Sequence, residues 1–327
     1  MHCQLLIPAF FSHDEAPPLP RLDAAETLVS KGRRKRMPGS TSETWLFERF
    51  GIARQRDWPV APYALLADGG SPGRDFWMRA DPVHLRAGDD SIVMMGIPAS
   101  GVSPVEAQAL AETLNRHFGE NLQFHAIEPG RWYARLQPVP EVQTTPPAAA
   151  QGVPIEAHLP SGPDGMRLRT LMNETQMLLH EHTVNAERAS RGEPAVNSLW
   201  FWGGGVIENT TARPFSAVLA DDPLARGLAL AAGIPARVLP ENADLTLASL
   251  KEEGVALVVL DAPQVPDDFT ALERNWFGPL LAALLAGRIG MLSIHLLGAD
   301  ARLEVETVRS DLRYFWRRKK PLASYLA

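Results

Sequence analysis

The sequence predicts an α/β fold, a mostly parallel sheet with helices on both faces and an α+β unit inserted into it. From residue 215 onward, strand-like and helix-like segments alternate. Several of the strand segments, such as 255–260 (VALVVL), are continuous apolar runs, as expected of strands buried on both faces. Before them, Pro138, Pro140, Pro146, Pro147, Pro154, Pro160 and Pro163 crowd one stretch. Neither a helix nor a central strand tolerates such a stretch, so it reads as an extended crossing segment between two packed units. The expected division is residues 1–66 and 164–327 for the sheet unit and 67–163 for the insert.

Taken in order, residues 5–7 form a short apolar run suited to a buried strand, and Leu22, Ala25, Leu28 and Val29 give 19–31 a helical period. Residues 42–50 read as a helix with Ser42 as N-cap and Gly51 ending it. Strand-like pieces follow at 63–66, 83–85 and 92–95. Ser103, Pro104 and Glu106 open a helix whose apolar face is Val105, Ala109, Leu110 and Leu114, and Gly119 stops it. Strands at 122–125 and 132–136 complete the middle unit. Residues 168–191 read as one long helix, with Leu168, Leu171, Met172, Thr175, Leu178 and Leu179 on one stripe. Beyond it come strands at 215–219, 236–239, 255–260 and 291–296, separated by helices at 223–232, 245–253 and 269–286.

The chain has 327 residues and a formal net charge of −6, an acidic balance that argues against a dedicated nucleic-acid binder. Its single cysteine, Cys3, excludes an intrachain disulfide and a cysteine-based zinc cluster. Its apolar runs fall short of the roughly 20 residues that span a bilayer, and residues 1–11 lack a basic leader and contain Pro8. No membrane partner and a cytoplasmic location are therefore expected. His180 and His182 are two apart, so on one helix they diverge and cannot share a metal. The basic run 31–36 (KGRRKR) reads as a solvated helix end, with a phosphate or carboxylate clamp as the functional alternative. Arg317 to Lys320 reads likewise as surface. Trp200, Phe201 and Trp202, followed by Gly203, Gly204 and Gly205, read as an apolar run closed by a tight turn.

As a set, these segments resemble a known family. Residues 172–205 (MNETQMLLHEHTVNAERASRGEPAVNSLWFWGGG) are similar to a stretch of the archaeal-type cofactor-independent phosphoglycerate mutases of the form LNxxM…HPxN…R…GxxPANxxWxWGxG. His182, Asn185, Arg188, Gly192, Pro194, Asn197, Trp200, Trp202, Gly203 and Gly205 carry the likeness. Upstream, Thr145-Pro146-Pro147 with Gly152 to Glu156, the 103–117 segment, and Leu19-Pro20 to Ser40 resemble further family segments in the same order. The resemblance implies an alkaline-phosphatase-like core with an inserted α+β domain, two divalent metals, a serine phosphate acceptor matched by Ser40, and phosphate transfer between positions 2 and 3 of glycerate. A serine hydroxyl is a poor nucleophile near neutral pH, so that chemistry depends on metals.

The metal ligands are where the likeness fails. The family's acidic turn after the first strand is replaced by 8–14 (PAFFSHD), the residues after Ser40 are Thr41 and, three further on, Thr44, and the late acidic and histidine cluster has shrunk to 262–268 (APQVPDD). His13, Asp14, Asp267 and Asp268 are the remaining candidates for one rebuilt metal position. The degenerate pattern resembles a bacterial family labelled phosphoglycerate-mutase-like or regulatory protein of the "regulation of pathogenicity factors" E type.

Three readings follow. The first is a non-catalytic, regulatory relative without a cofactor, binding a small phosphorylated or carboxylate metabolite through Arg79, Asn185, Arg188 and Asn197, with Ser40 vestigial; the structural alternative for Asn185, Arg188 and Asn197 is that they only stitch the long helix to the Trp200 turn. The second is a mutase or phosphatase using manganese, zinc or magnesium. The third is an interaction protein whose C-terminal tail, with Tyr314, Phe315, Trp316, Leu322, Tyr325 and Leu326, docks on a protein partner.

Overall fold

Along the chain the strands are β1 His2–Phe11, β2 Arg33–Pro38, β3 Trp77–Val83, β4 Leu85–Ala87, β5 Ile92–Met94, β6 Leu122–Glu128, β7 Arg131–Leu136, β8 Ser198–Gly205, β9 Ala217–Ala220, β10 Ala236–Arg237, β11 Val255–Val259, β12 Met291–Gly298 and β13 Ala301–Val308. The computed structural model describes residues 1–11, 20–88, 90–96, 101–208, 210–250 and 254–325. They form two compact units, Met1–Ile52 with Asn209–Ala327, and Ala53–Glu208.

The first unit is built on a seven-stranded sheet of order β10-β9-β11-β1-β12-β13-β2. The strands from β10 to β12 are parallel, while β13 pairs antiparallel with both β12 and β2. One face of it carries Cys3, Leu5, Ile7, Val258, Leu292, Ile294, Leu303 and Val305, packed on Ala25, Leu28, Leu247, Phe277, Leu280 and Leu284 of the covering helices. The other face is covered by the helix Ser42–Arg49, whose Trp45 ring lies 4.8 Å from that of His295. This is the predicted mostly parallel sheet with helices on both faces.

The second unit holds an antiparallel sheet of order β6-β7-β3-β8 and the hairpin β4-β5. The helix Pro104–Phe118 opens with the predicted capping box, Glu106 N donating to Ser103 Oγ at 3.2 Å and Ser103 N to Glu106 Oε2 at 2.8 Å. The ends of this unit are clasped together. Gln55 donates from Nε2 to Val206 O at 2.9 Å and accepts at Oε1 from Val206 N at 3.1 Å.

Several expectations shift. The boundaries 66/67 and 163/164 move to 52/53 and 208/209, because β8 pairs with β3 and draws the segment before it into the second unit. Residues 63–66 lie in a helix, Val60–Ala67; so short an apolar run has no period that separates helix from strand. The 168–191 helix is two, Gly165–His180 and Thr183–Ser190, and His182 caps the second by accepting from Val184 N at 3.2 Å. Of the KGRRKR run, Lys31 does end the helix Asp23–Lys31 with Gly32 as its cap, but residues 33–36 belong to edge strand β2. Gly203 to Gly205 do not form a turn but finish β8, where a Cβ on Gly205 would lie 2.5 Å from Pro59. Among the described residues, no helix is long and apolar enough to cross a membrane.

Candidate functional site

In a parallel sheet, ligands gather beyond the carboxyl ends of the strands. Ser40 lies there in the first unit. It follows β2, whose direction matches that of β12, and it precedes the helix Ser42–Arg49. Gly39 N donates to Asp300 O at 3.0 Å and Ser40 N to Gly298 O at 3.1 Å, which pins the junction to the turn between β12 and β13. Only glycine fits at 39, since a Cβ would lie 1.7 Å from Ala299 O. Thr41, not Ser42, caps the helix, accepting from Thr44 N at 3.2 Å. The Ser40 hydroxyl is partly exposed and donates to Thr41 O at 3.2 Å. At the same end β1 has a register shift between Ile7 and Phe11, and Ala9 adopts φ 44°, a left-handed conformation that a non-glycine residue seldom holds without cause.

Beyond β11, a cavity of about 260 Å³ is lined by Leu260, Asp261, Asp268, Asn275 and Trp276, among others. Asn275 and Trp276 belong to a π-helical turn, Glu273–Phe277, a distortion that recurs at functional sites. The Asp268 carboxylate accepts from Gln264 N at 2.6 Å and Val265 N at 3.0 Å, and these backbone bonds hold its pKa below the usual carboxylate range. It braces its own helix start. Asp267 is exposed, and His13 and Asp14 lie outside the described residues. Among the described residues no three of His, Cys, Asp and Glu are grouped to hold a metal ion. The described side chains therefore do not fit the paired-metal centre that the resemblance implies.

The other four candidates all lie in the second unit, each turned to protein partners. Arg79 on β3 binds Asp81 Oδ1 through Nε at 3.0 Å and Nη2 at 2.5 Å, with its guanidinium between the Tyr133 and Trp202 rings, and Trp202 Nε1 donates to Asp81 Oδ2 at 2.7 Å. Asn185 donates to Leu179 O at 2.7 Å and Val196 O at 2.8 Å and accepts from Val196 N at 2.9 Å. Asn197 exchanges two bonds of 2.7 Å with the Leu85 backbone, as a neighbouring strand would. Arg188, 1% exposed, reaches Pro194 O at 2.9 Å, Glu106 Oε2 at 3.1 Å and Gly101 O at 3.1 Å. Asn185 and Arg188 thus tie the helix Thr183–Ser190 to the segment before β8. These side chains build a scaffold; the anion clamp expected of them is not what their geometry offers.

A polar stripe under the helix Ser42–Arg49 escaped the sequence reading. His295 on β12 is 5% exposed, neither ring nitrogen has a hydrogen-bond partner, and Nδ1 stands 3.7 Å from Glu304 Oε1. The His295 ring beside it, then Arg302 and Arg49, hold the Glu304 carboxyl below its usual range against the opposing effect of burial. Gln4, Ser293 and Glu306 share this face. The signal was present as polar residues alternating through apolar runs, His2 and Gln4 in β1, Ser293 and His295 in β12.

Compared with known proteins, residues 72–185 match the family model of the 2,3-bisphosphoglycerate-independent phosphoglycerate mutases. The Methanosarcina mazei enzyme of that name is 31% identical over 147 residues, 42% of this chain and 36% of that one. The Methanothrix thermoacetophila enzyme is 26% identical over 230 residues, 68% of this chain and 51% of that one. The chain thus spans about a third to a half of the length of these curated relatives. Among solved structures, the cofactor-independent phosphoglycerate mutase from Thermoplasma acidophilum aligns over 98% of this chain and 94% of its own, with TM-score 0.52 and 18% identity. The PH0037 protein of Pyrococcus horikoshii aligns over 94% and 87%, with TM-score 0.58 and 13% identity; at such identities these two likenesses speak for the fold. The likeness to the 2,3-bisphosphoglycerate-independent phosphoglycerate mutases thus rests on residues 72–185 for the family model and on part of the chain for each curated relative.

Proposed function

We propose that this chain, similar to the phosphoglycerate mutases, does not carry out mutase turnover and acts instead as a binding or regulatory protein. One observation supports the reading: Ser40, which the resemblance matches to an acceptor hydroxyl, lies at the carboxyl end of the large sheet, yet the described acids and histidines do not converge on a cation. A serine without a metal or a neighbouring base stays protonated and weakly nucleophilic. Asp268, one of two acids lining the cavity beyond β11, is already engaged by two backbone amides.

A second reading, a metal-dependent mutase or phosphatase, is favoured by one feature, that Asp261 and Asp268 line the same cavity. The two readings separate in one experiment. The purified chain, stripped with a chelator and then given manganese, cobalt, zinc or magnesium, is assayed with 3-phosphoglycerate, with elemental analysis before and after. The proposal expects no turnover and no stoichiometric metal. Turnover that Ser40→Ala abolishes would establish the second reading and remove the first.

A further inference from the structure

Cations are unevenly placed in this acidic chain. Residues 31–36 hold five, Lys31, Arg33, Arg34, Lys35 and Arg36, and residues 309–320 hold six, with Asp311 as the lone acid of the two segments. Both belong to the first unit and are fastened together. Lys31 Nζ donates to Tyr314 O at 2.7 Å, Arg317 Nη1 donates to Lys31 O, and Lys320 N donates to Ser30 Oγ at 3.0 Å. Between these anchors, Phe315 is 83% and Trp316 62% exposed. Their rings meet edge to face at 5.1 Å, and Tyr314 lies 4.8 Å behind Trp316 with Arg317 over its own ring. The anchored loop holds two large aromatic side chains in water among exposed Arg313, Arg318 and Lys320, while Lys319, also exposed, pairs with Asp23.

We propose that this loop, with the adjoining start of β2, docks on the headgroup layer of an anionic bilayer, Phe315 and Trp316 entering the interface and the cations meeting the lipid phosphates. The chemistry favours that partner. Aromatic rings settle at the headgroup level, and lysine and arginine are drawn to an anionic leaflet. Single-stranded nucleic acid calls for open ring faces on which bases stack, whereas here the rings pack on one another. A specific protein interface needs roughly 800 Å² per side around an apolar centre, whereas Phe315 and Trp316 are the only large apolar side chains exposed in these two segments. Much of the β2 charge has a local use, since Arg33 and Lys35 stand opposite Glu306 and Glu304 and Arg34 donates to Val29 O at 2.6 Å and Ser30 O at 2.7 Å. The contribution of β2 is therefore the exposed rim of these side chains, and the main cations are those of the loop.

Co-sedimentation of the full chain with vesicles tests this. Vesicles of equal parts phosphatidylcholine and phosphatidylglycerol should retain the protein at low salt and release it as ionic strength rises past ~0.15 M, and pure phosphatidylcholine should not retain it. Trp316→Ala with Phe315→Ala should lower partition about tenfold or more, and Arg318→Glu with Lys320→Glu should abolish it, while Arg167→Glu in the other unit leaves it unchanged. Brominated acyl chains should quench tryptophan fluorescence in the native chain, and Trp316→Phe should keep binding yet lose the quenching. The proposal fails if anionic vesicles do not retain the protein at low salt, or if the double alanine variant binds as well as the native chain. Retention on a single-stranded oligonucleotide or on polyglutamate in place of vesicles would overturn it in favour of another partner.

Discussion

Arg188 illustrates how a residue that looks like a ligand clamp becomes a girder. Its guanidinium is buried and binds two backbone carbonyls and the Glu106 carboxylate, while Arg191 reaches the other Glu106 oxygen at 2.6 Å. Glu106 keeps Arg191 and Ser103 without it, but the Pro194 and Gly101 carbonyls lose this donor and a buried side chain's volume is emptied, so Arg188→Ala is expected to cost about 3 kcal/mol. Urea unfolding should show this as a lower midpoint, whatever small anion is added. Glu304 gives a prediction in pH. Its carboxyl is held below the usual range in the folded protein, so its contribution is complete above the unfolded value of about 4.3 and is lost as pH falls below it. Acid unfolding monitored between neutrality and pH ~3 should therefore be flatter for Glu304→Gln than for the native chain. Neither role was written in residue type alone. Arginine and glutamate serve girders and clamps alike, and only the carbonyls and rings that surround them separate the two.

Elements with strong local signals were read correctly and those fixed by distant partners were not. The capping box at Ser103 and the stop at Gly119 are local chemistry, and the helix between them stands where the sequence puts it. Strand β2 has Met37 as its one large apolar residue, and what makes it a strand is β13 beside it. The π-helical turn is another remote effect. It places Glu273 so that its carboxylate accepts from Ala24 N at 2.5 Å and Ala25 N at 3.2 Å, capping the helix Asp23–Lys31, whose own Leu22 offers no cap. Glu273→Ala is expected to cost about 1 kcal/mol, with faster amide exchange at Ala24 and Ala25 as the local signature.

For the molecule as a whole, alternation and proline placement disclosed the α/β plan and the presence of an insert, while the seam was misplaced. Proline marks where a chain cannot be regular, not which unit claims it, and β8 was claimed by β3. Because the sheet β6-β7-β3-β8 closes within Ala53–Glu208, that segment expressed alone is expected to fold, with a cooperative thermal transition by circular dichroism. A fragment with 67–163 alone lacks β8 and should show none. The Gln55 clasp on Val206 has an evolutionary corollary. A module whose entry and exit are buttoned together keeps its two ends side by side whatever lies between them, so length can be added or removed inside it without pulling that junction apart.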